Sequence, residues 1–165
     1  LFLLFVSIFL LCSCKKGVGR AIFDDIHNKA DARMEEVFEA IKNNSGDDVK
    51  AMFSKQALSD ADDFDENLDA LFRYIQGDVQ SWETTGTYGG LAEKNKGKRK
   101  KQTESVYGLI TSEQEYEIVI YEVTKDTAKP ENVGVYSICI INKNEKQHPD
   151  FGYWGSGDAG IIIGE

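Results

Sequence analysis

The stretch from Tyr107 to Asn142 limits what this chain can fold into more than any other part of it. It holds three runs dense in Val, Ile, Tyr and Thr: SVYGLITS, EYEIVIYEVT and VGVYSICIIN. Branched and aromatic side chains suit a pleated, half-buried surface, so each run predicts a strand. Ser112, Glu113 and Gln114 separate the first two runs, a gap of hairpin length, and Asp126 to Asn132 separate the second from the third. Strands joined this briefly pair side by side and antiparallel. Whatever precedes them must therefore pack on a sheet.

What precedes them has the period of helices. Phe23, Ile26, Ala30, Met34, Val37, Phe38 and Ile41 recur at three and four, which predicts a helix from about Ile22 to Asn43, stopped by Asn43-Asn44-Ser45-Gly46. Asp47 is expected to cap a second, shorter helix with Val49, Met52, Phe53 and Ala57 inward. A third starts near Asp62 or Asp63, carries the stripe Phe64, Leu68, Leu71, Phe72 and Ile75, and ends at Gly77. Asp78 to Tyr88 reads as a first strand with Gln80, Trp82, Thr84 and Tyr88 on one side, broken by Gly89-Gly90. Lys94 to Lys101 reads as a polar loop, and Thr103 opens the next strand. Ile161 to Ile163 either adds a short final strand or covers the core. Helices followed by strands imply an α+β fold, with N-terminal helices packed on one face of an antiparallel sheet.

The 165 residues are the size of one domain. The net charge of −9, from 28 acidic against 19 basic residues, argues against nucleic acid as a partner, because phosphate binding needs positive charge. The N-terminus points to a different surface. Leu1 to Leu11 is uncharged and apolar, too short to cross a bilayer, which takes about 20 residues, but matched to the apolar core of a secretory signal. Neither an initiating Met nor a basic segment precedes it, so the sequence reads as lacking its true start. Leu11-Cys12-Ser13-Cys14, followed by Lys15-Lys16, resembles the bacterial lipobox, with Leu three before a Cys and a small residue one before it. The resemblance implies cleavage after residue 13 and a diacylglyceryl group on the Cys14 thiol. Two acyl chains hold a protein stably on a membrane where one is marginal. The expected organisation is a signal peptide over 1–13, a lipidated Cys and tether over 14–29, and one α+β domain over 30–165. The expected location is the outer face of the cytoplasmic membrane. Cys139, the one remaining thiol, sits in a predicted strand and reads as a small buried hydrophobe.

Beyond the lipobox, the long helix, GDDVKAMFS, LDALFRYIQGDVQSW and the strands after it are similar in order to the nuclear transport factor 2-like (cystatin-like) superfamily. More narrowly, Asp65 to Trp82, Gly89-Gly90 and YEIVIYEVTKD…ENVGVYSICI resemble a family of small Gram-positive lipoproteins, the domain of unknown function 5104. The likeness covers about residues 30–142. The superfamily implies a cone: a curved sheet with a pocket between it and the helices, serving enzymes in some members and non-catalytic binding in others.

Three groups of residues are site candidates. Trp82, Tyr88, Tyr116 and Tyr136 are candidates to line such a pocket, against the reading that they are core or a dimer face. Lys94, Lys96, Lys98, Arg99, Lys100 and Lys101 form a basic cluster able to touch anionic lipid or wall polymer, against the reading of a solvated hairpin tip whose charge prevents edge pairing. Asp60, Asp62, Asp63, Asp65, Glu66 and Asp69 fail the spacing of a calcium loop and suit a helix N-terminus instead. His27 and His148 lack a nucleophile or acid at a motif spacing, and Glu83 and Glu117 look like ordinary strand acids, so no catalytic residue, metal ligand or cofactor is assigned. The reading is a lipid-anchored extracytoplasmic binding or interaction module. Its partners are the membrane, a small ligand or cell-envelope component, and a second copy of the chain. The alternative is an isomerase- or hydratase-like enzyme using the cone pocket.

Overall fold

A computed structural model describes residues 18–85, 89–144 and 157–164. Four helices come first: α1 (Val18–Lys42), α2 (Gly46–Met52), α3 (Lys55–Asp60) and α4 (Phe64–Tyr74). Six strands follow: β1 (Val79–Thr84), β2 (Gly89–Asn95), β3 (Lys98–Thr111), β4 (Glu115–Asp126), β5 (Gly134–Asn142) and β6 (Gly160–Ile163). The fold is α+β, as the sequence order implies.

The stripe read on α1 is the one that is buried: Ala30, Met34, Val37, Phe38 and Ile41 all lie in the core. Burying Val37, Phe38 and Ile41 contributes about 1.5–3 kcal/mol each. The helix reaches back to Val18, inside the stretch 14–29 assigned to a tether. It ends where Asn44 turns left-handed at φ 51° and the Ser45 amide donates to the Ala40 carbonyl at 2.9 Å. Ser45, not Asp47, then caps α2, its Oγ accepting from the Asp48 amide at 3.4 Å. The expected second helix is two helices. Phe53 leaves the helix to bridge Val135 of β5 in parallel, and the Ser54 amide donates to the Val135 carbonyl at 2.9 Å. Ser54 Oγ then restarts the chain as α3 by accepting from the Ala57 amide at 3.0 Å. This approach requires Gly134. Its φ of +132° suits no L side chain, and a Cβ there would stand 2.9 Å from the Ser54 nitrogen.

The sheet runs β1-β3-β4-β5-β6, with β2 also paired to β3. β1 takes the Tyr107–Thr111 end of β3 and β2 the Lys98–Glu104 end, so the two lie end to end along one edge. β6 pairs with β5 in parallel, which corrects the all-antiparallel expectation: the sheet is mixed, curved and unclosed. Register shifts at Val79/Ser81, Lys101/Gln102 and Tyr121/Glu122 supply bends. The stretch Lys94 to Lys101 is not a loop. It is a β2–β3 ribbon turned by Lys96 and Gly97, both at positive φ, the two-residue turn that matches strand twist.

Successive side chains alternate between the two faces. Tyr107, Leu109, Tyr116, Ile118, Ile120, Ile138, Ile140 and Ile161 face the helices and merge with Met34, Phe38, Val49 and Leu71 into one core. On the far face Val106, Val119, Cys139 and Ile162 stand opposite one another across four strands, a single apolar row.

Candidate functional site

The interior of the expected cone is filled. Tyr116 is wholly buried there. Its hydroxyl donates to the Tyr74 carbonyl at 3.1 Å and accepts from the Gln76 amide at 2.8 Å, tying the end of α4 to the sheet. Trp82 stands edge-on to Tyr107 at 5.4 Å and donates its indole N–H to Glu35 at 2.8 Å. Both are fixed by packing and by partners within the fold. Tyr88 lies outside the described residues. Of the three described pocket candidates only Tyr136 lines an open concavity, and it is a different one from the cone.

That concavity is a groove of about 950 Å³ on the far face of the sheet. Its floor follows from strand alternation. Gln102 and Glu104 precede Val106 by four and two residues, Tyr121 and Val123 follow Val119 by two and four, and Ser137 precedes Cys139 by two. Glu104 pairs with Tyr121 across β3–β4, and Tyr121 pairs with Ser137 across β4–β5. Alternation puts Tyr121's neighbour Glu122 on the opposite side, where Oε1 accepts from Arg33 Nη2 at 2.8 Å and Nε at 3.2 Å, and the bulge falls on β5, where Tyr136 is the extra residue. Burial lowers the Arg33 pKa, but the bonds and charges of Glu122 and Glu36 outweigh it and the net shift is upward.

The walls come from the connections. Gln56 and Asp60 of α3 stand on one side. The α3 end is held close because Gly160, at φ +96°, has no Cβ; one would stand 2.8 Å from the Ala61 Cβ. On another side the 3-10 turn Pro130–Asn132 brings in Lys129 and Asn132. Asp126 organises this turn. Its carboxylate accepts from the amides of Ala128 and Lys129, each at 2.9 Å, and from Asn132 Nδ2 at 3.0 Å. The Lys129 amide bond, followed by the Asn132 and Ala128 bonds, holds the Asp126 pKa below the usual carboxylate value.

At the groove's centre the rings of Tyr121 and Tyr136 lie 5.8 Å apart with their planes at 84°. Burial pushes the Glu104 carboxyl upward, and no hydrogen bond or ion pair ties it to another described residue. The Tyr121 phenol is raised by burial, then by the nearby Tyr136 and Glu104, against a lowering hydrogen bond with Gln102. Burial also pushes the Cys139 thiol up to about 12, so the strand cysteine is an inert packing group.

The other candidates lie elsewhere. The six basic residues occupy the β2–β3 ribbon, and Lys100, at its base, also borders the groove. Ribbon tip and helix start share one end of the molecule. A side chain at Gly90, which pairs with Thr103, would meet Ile26 Cδ1 at 3.8 Å. Further along, Asp31 accepts from the Tyr107 hydroxyl at 3.1 Å, and Glu35 meets Trp82 opposite Leu109. Helix and strand numbers therefore rise together, and from Ile26 back to Val18 the helix covers about 12 Å. Among the described residues no helix is long and apolar enough to cross a membrane, and no group of His, Cys, Asp and Glu could hold a metal ion. His27 is exposed on α1. Cys14 and His148 lie outside the described residues.

An α+β domain with a packed helix side and an open groove on the opposite sheet face is the class of protein these observations define. Residues 36–143 match the family described as Domain of unknown function (DUF5104), and the chain belongs to that family. No curated protein matches the chain.

Proposed function

We propose that this protein is a non-catalytic binding module of the cell envelope, anchored at the outer face of the cytoplasmic membrane by a lipid on Cys14 and steadied there by its basic ribbon. The observation that supports this most is the shared end of α1 and the β2–β3 ribbon. A lipid attached four residues before Val18 would bring the ribbon beside the same membrane, where each Lys or Arg gains about 1 kcal/mol from anionic headgroups. On an acidic chain such a cluster is also the part that an anionic surface repels least. The superfamily reading, a nuclear transport factor 2-like cone, agrees with helices laid on a curved sheet. A filled cone interior favours binding at the outer groove over an enzyme of the cone-pocket type.

The test uses the full chain in vesicles. Amide exchange over residues 94–101 should slow on anionic vesicles relative to zwitterionic ones, and raised salt should abolish the difference. Cys14→Ser should release the protein from the membrane fraction. Unchanged exchange dismisses the ribbon's role, and a Cys14→Ser protein that stays membrane-bound dismisses the anchor.

A further inference from the structure

We propose that the far-face groove binds a small organic cation, an alkylammonium group seated against the edge-to-face pair of Tyr121 and Tyr136 with Glu104 as its counter-charge. This rests on the reading of the protein as a binding module and names the ligand class. Three observations converge on it. Tyr121 and Tyr136 meet edge to face, centroids 5.8 Å apart and planes at 84°, and both border the groove, so the pair offers it ring face that no parallel stack covers. Aromatic faces carry negative potential and attract ammonium groups. Glu104 pairs directly with Tyr121 across the strands and has no ion-pair partner among the described residues, though burial already opposes its charge. A cation at that spot would supply the missing neighbour. The surrounding charge has the same sign, since Glu93 acts on Tyr121 and Asp158 on Cys139 beneath the same end of the groove. The groove's lining carries three carboxylates, Asp60, Glu104 and Asp158, against two lysines, Lys100 and Lys129, so its charge stays negative by one.

A quaternary ammonium group fits better than a sugar or an anion. An anion would meet Glu104 head-on. A sugar would need several free hydrogen-bonding groups, whereas Ser137 is buried, Asn132 Nδ2 is given to Asp126 and Gln102 already bonds Tyr121.

The experiment titrates the purified full chain, in a non-ionic detergent, with choline and with its uncharged carbon isostere. The readout is the proton shift of the ligand methyl groups. Choline should bind with a dissociation constant at or below about 1 mM and its methyl signals should move upfield through the ring currents of the two tyrosines. The isostere should bind at least about tenfold more weakly. Glu104→Gln, a substitution that relieves a half-buried charge and so keeps the fold, should weaken choline about tenfold, Tyr121→Leu about fivefold, and Tyr121→Phe less than twofold because the ring remains. Equal binding of choline and isostere overturns the cation assignment while leaving a binding groove. Absence of saturable choline binding overturns it as well, and in that case the vesicle exchange measurement judges the anchored-module reading separately. Choline binding unaffected by Glu104→Gln removes the counter-charge and with it the proposal.

Discussion

The two faces of the sheet are built from the same strands and do opposite things. Toward the helices, Tyr107, Ile118, Ile138 and Ile140 are wholly buried and every polar group among them is spoken for, as the two bonds to the Tyr116 hydroxyl show. On the far face one apolar row, Val106 to Ile162, gives way within two residues per strand to Glu104, Tyr121 and Ser137. One side spends its side chains on cohesion. The other leaves a carboxylate and two aromatic rings where a ligand can reach them. Binding sites tolerate such local disadvantage because the packed side holds the fold up.

The largest expected effect tests that division directly. Ile118→Ala should cost about 3 kcal/mol in denaturant unfolding, while Val119→Ala, its neighbour on the opposite face, should cost about half as much. Equal losses would mean that the far face is as much a core as the helix side. Next in size is Glu122→Gln. It takes the charge from a pair whose side chains are only 11% and 22% exposed, and should cost about 2 kcal/mol, with unfolding monitored by circular dichroism. Glu36 remains beside Arg33 and keeps the loss below that of a fully orphaned buried charge.

Smaller, and opposite in sign, is Glu104→Gln. The folded pKa of Glu104 lies above its ordinary 4.5, so the fold prefers the protonated form. Its favourable contribution is present below the unfolded value and is lost as pH rises through the folded one. The variant should therefore melt slightly higher than the parent at neutral pH and level with it in acid. A lower melting point at neutral pH would show that Glu104 has a stabilising partner, and would blur the contrast between the faces. Smallest is the titration of Asp126, whose pKa is depressed by the Lys129, Asn132 and Ala128 bonds. What those bonds contribute is present above the unfolded value and fades as pH falls through the folded one. Protection of the Ala128 and Lys129 amides, taken relative to the intrinsic exchange rate at each pH, should fall over that acid window, before global unfolding.

The helix side was largely legible in the sequence because its signal is local and redundant. The three-four spacing from Ala30 to Ile41 and the alternation in EYEIVIYEVT each name the buried residues without reference to the rest of the fold. The far side was not. Alternation puts Glu104 and Tyr121 on the face with Val106 and Val119, but it does not say which face the helices cover. Trp82 and Tyr116 were singled out as aromatic, and both turned out to be held inside by Glu35, Tyr74 and Gln76. The β2–β3 ribbon was legible only as a hairpin tip and not in its strand extent, because lysine favours neither strand nor burial, although Lys96-Gly97 between two polar runs was a usable turn signal. The parallel docking of β6 on β5 depends on contacts far apart in sequence and has no local signature.

α1 has a consequence for how the groove meets its surroundings. Twenty-five residues of unbroken helix make a rod about 37 Å long, pinned to the sheet through Asp31, Arg33 and Glu35. The helix runs without a break from its first described turn to those pins. Whatever grips the leading end of the rod therefore sets the compass heading of the whole domain, and the groove looks out at a constant bearing instead of drifting like a buoy on a slack line.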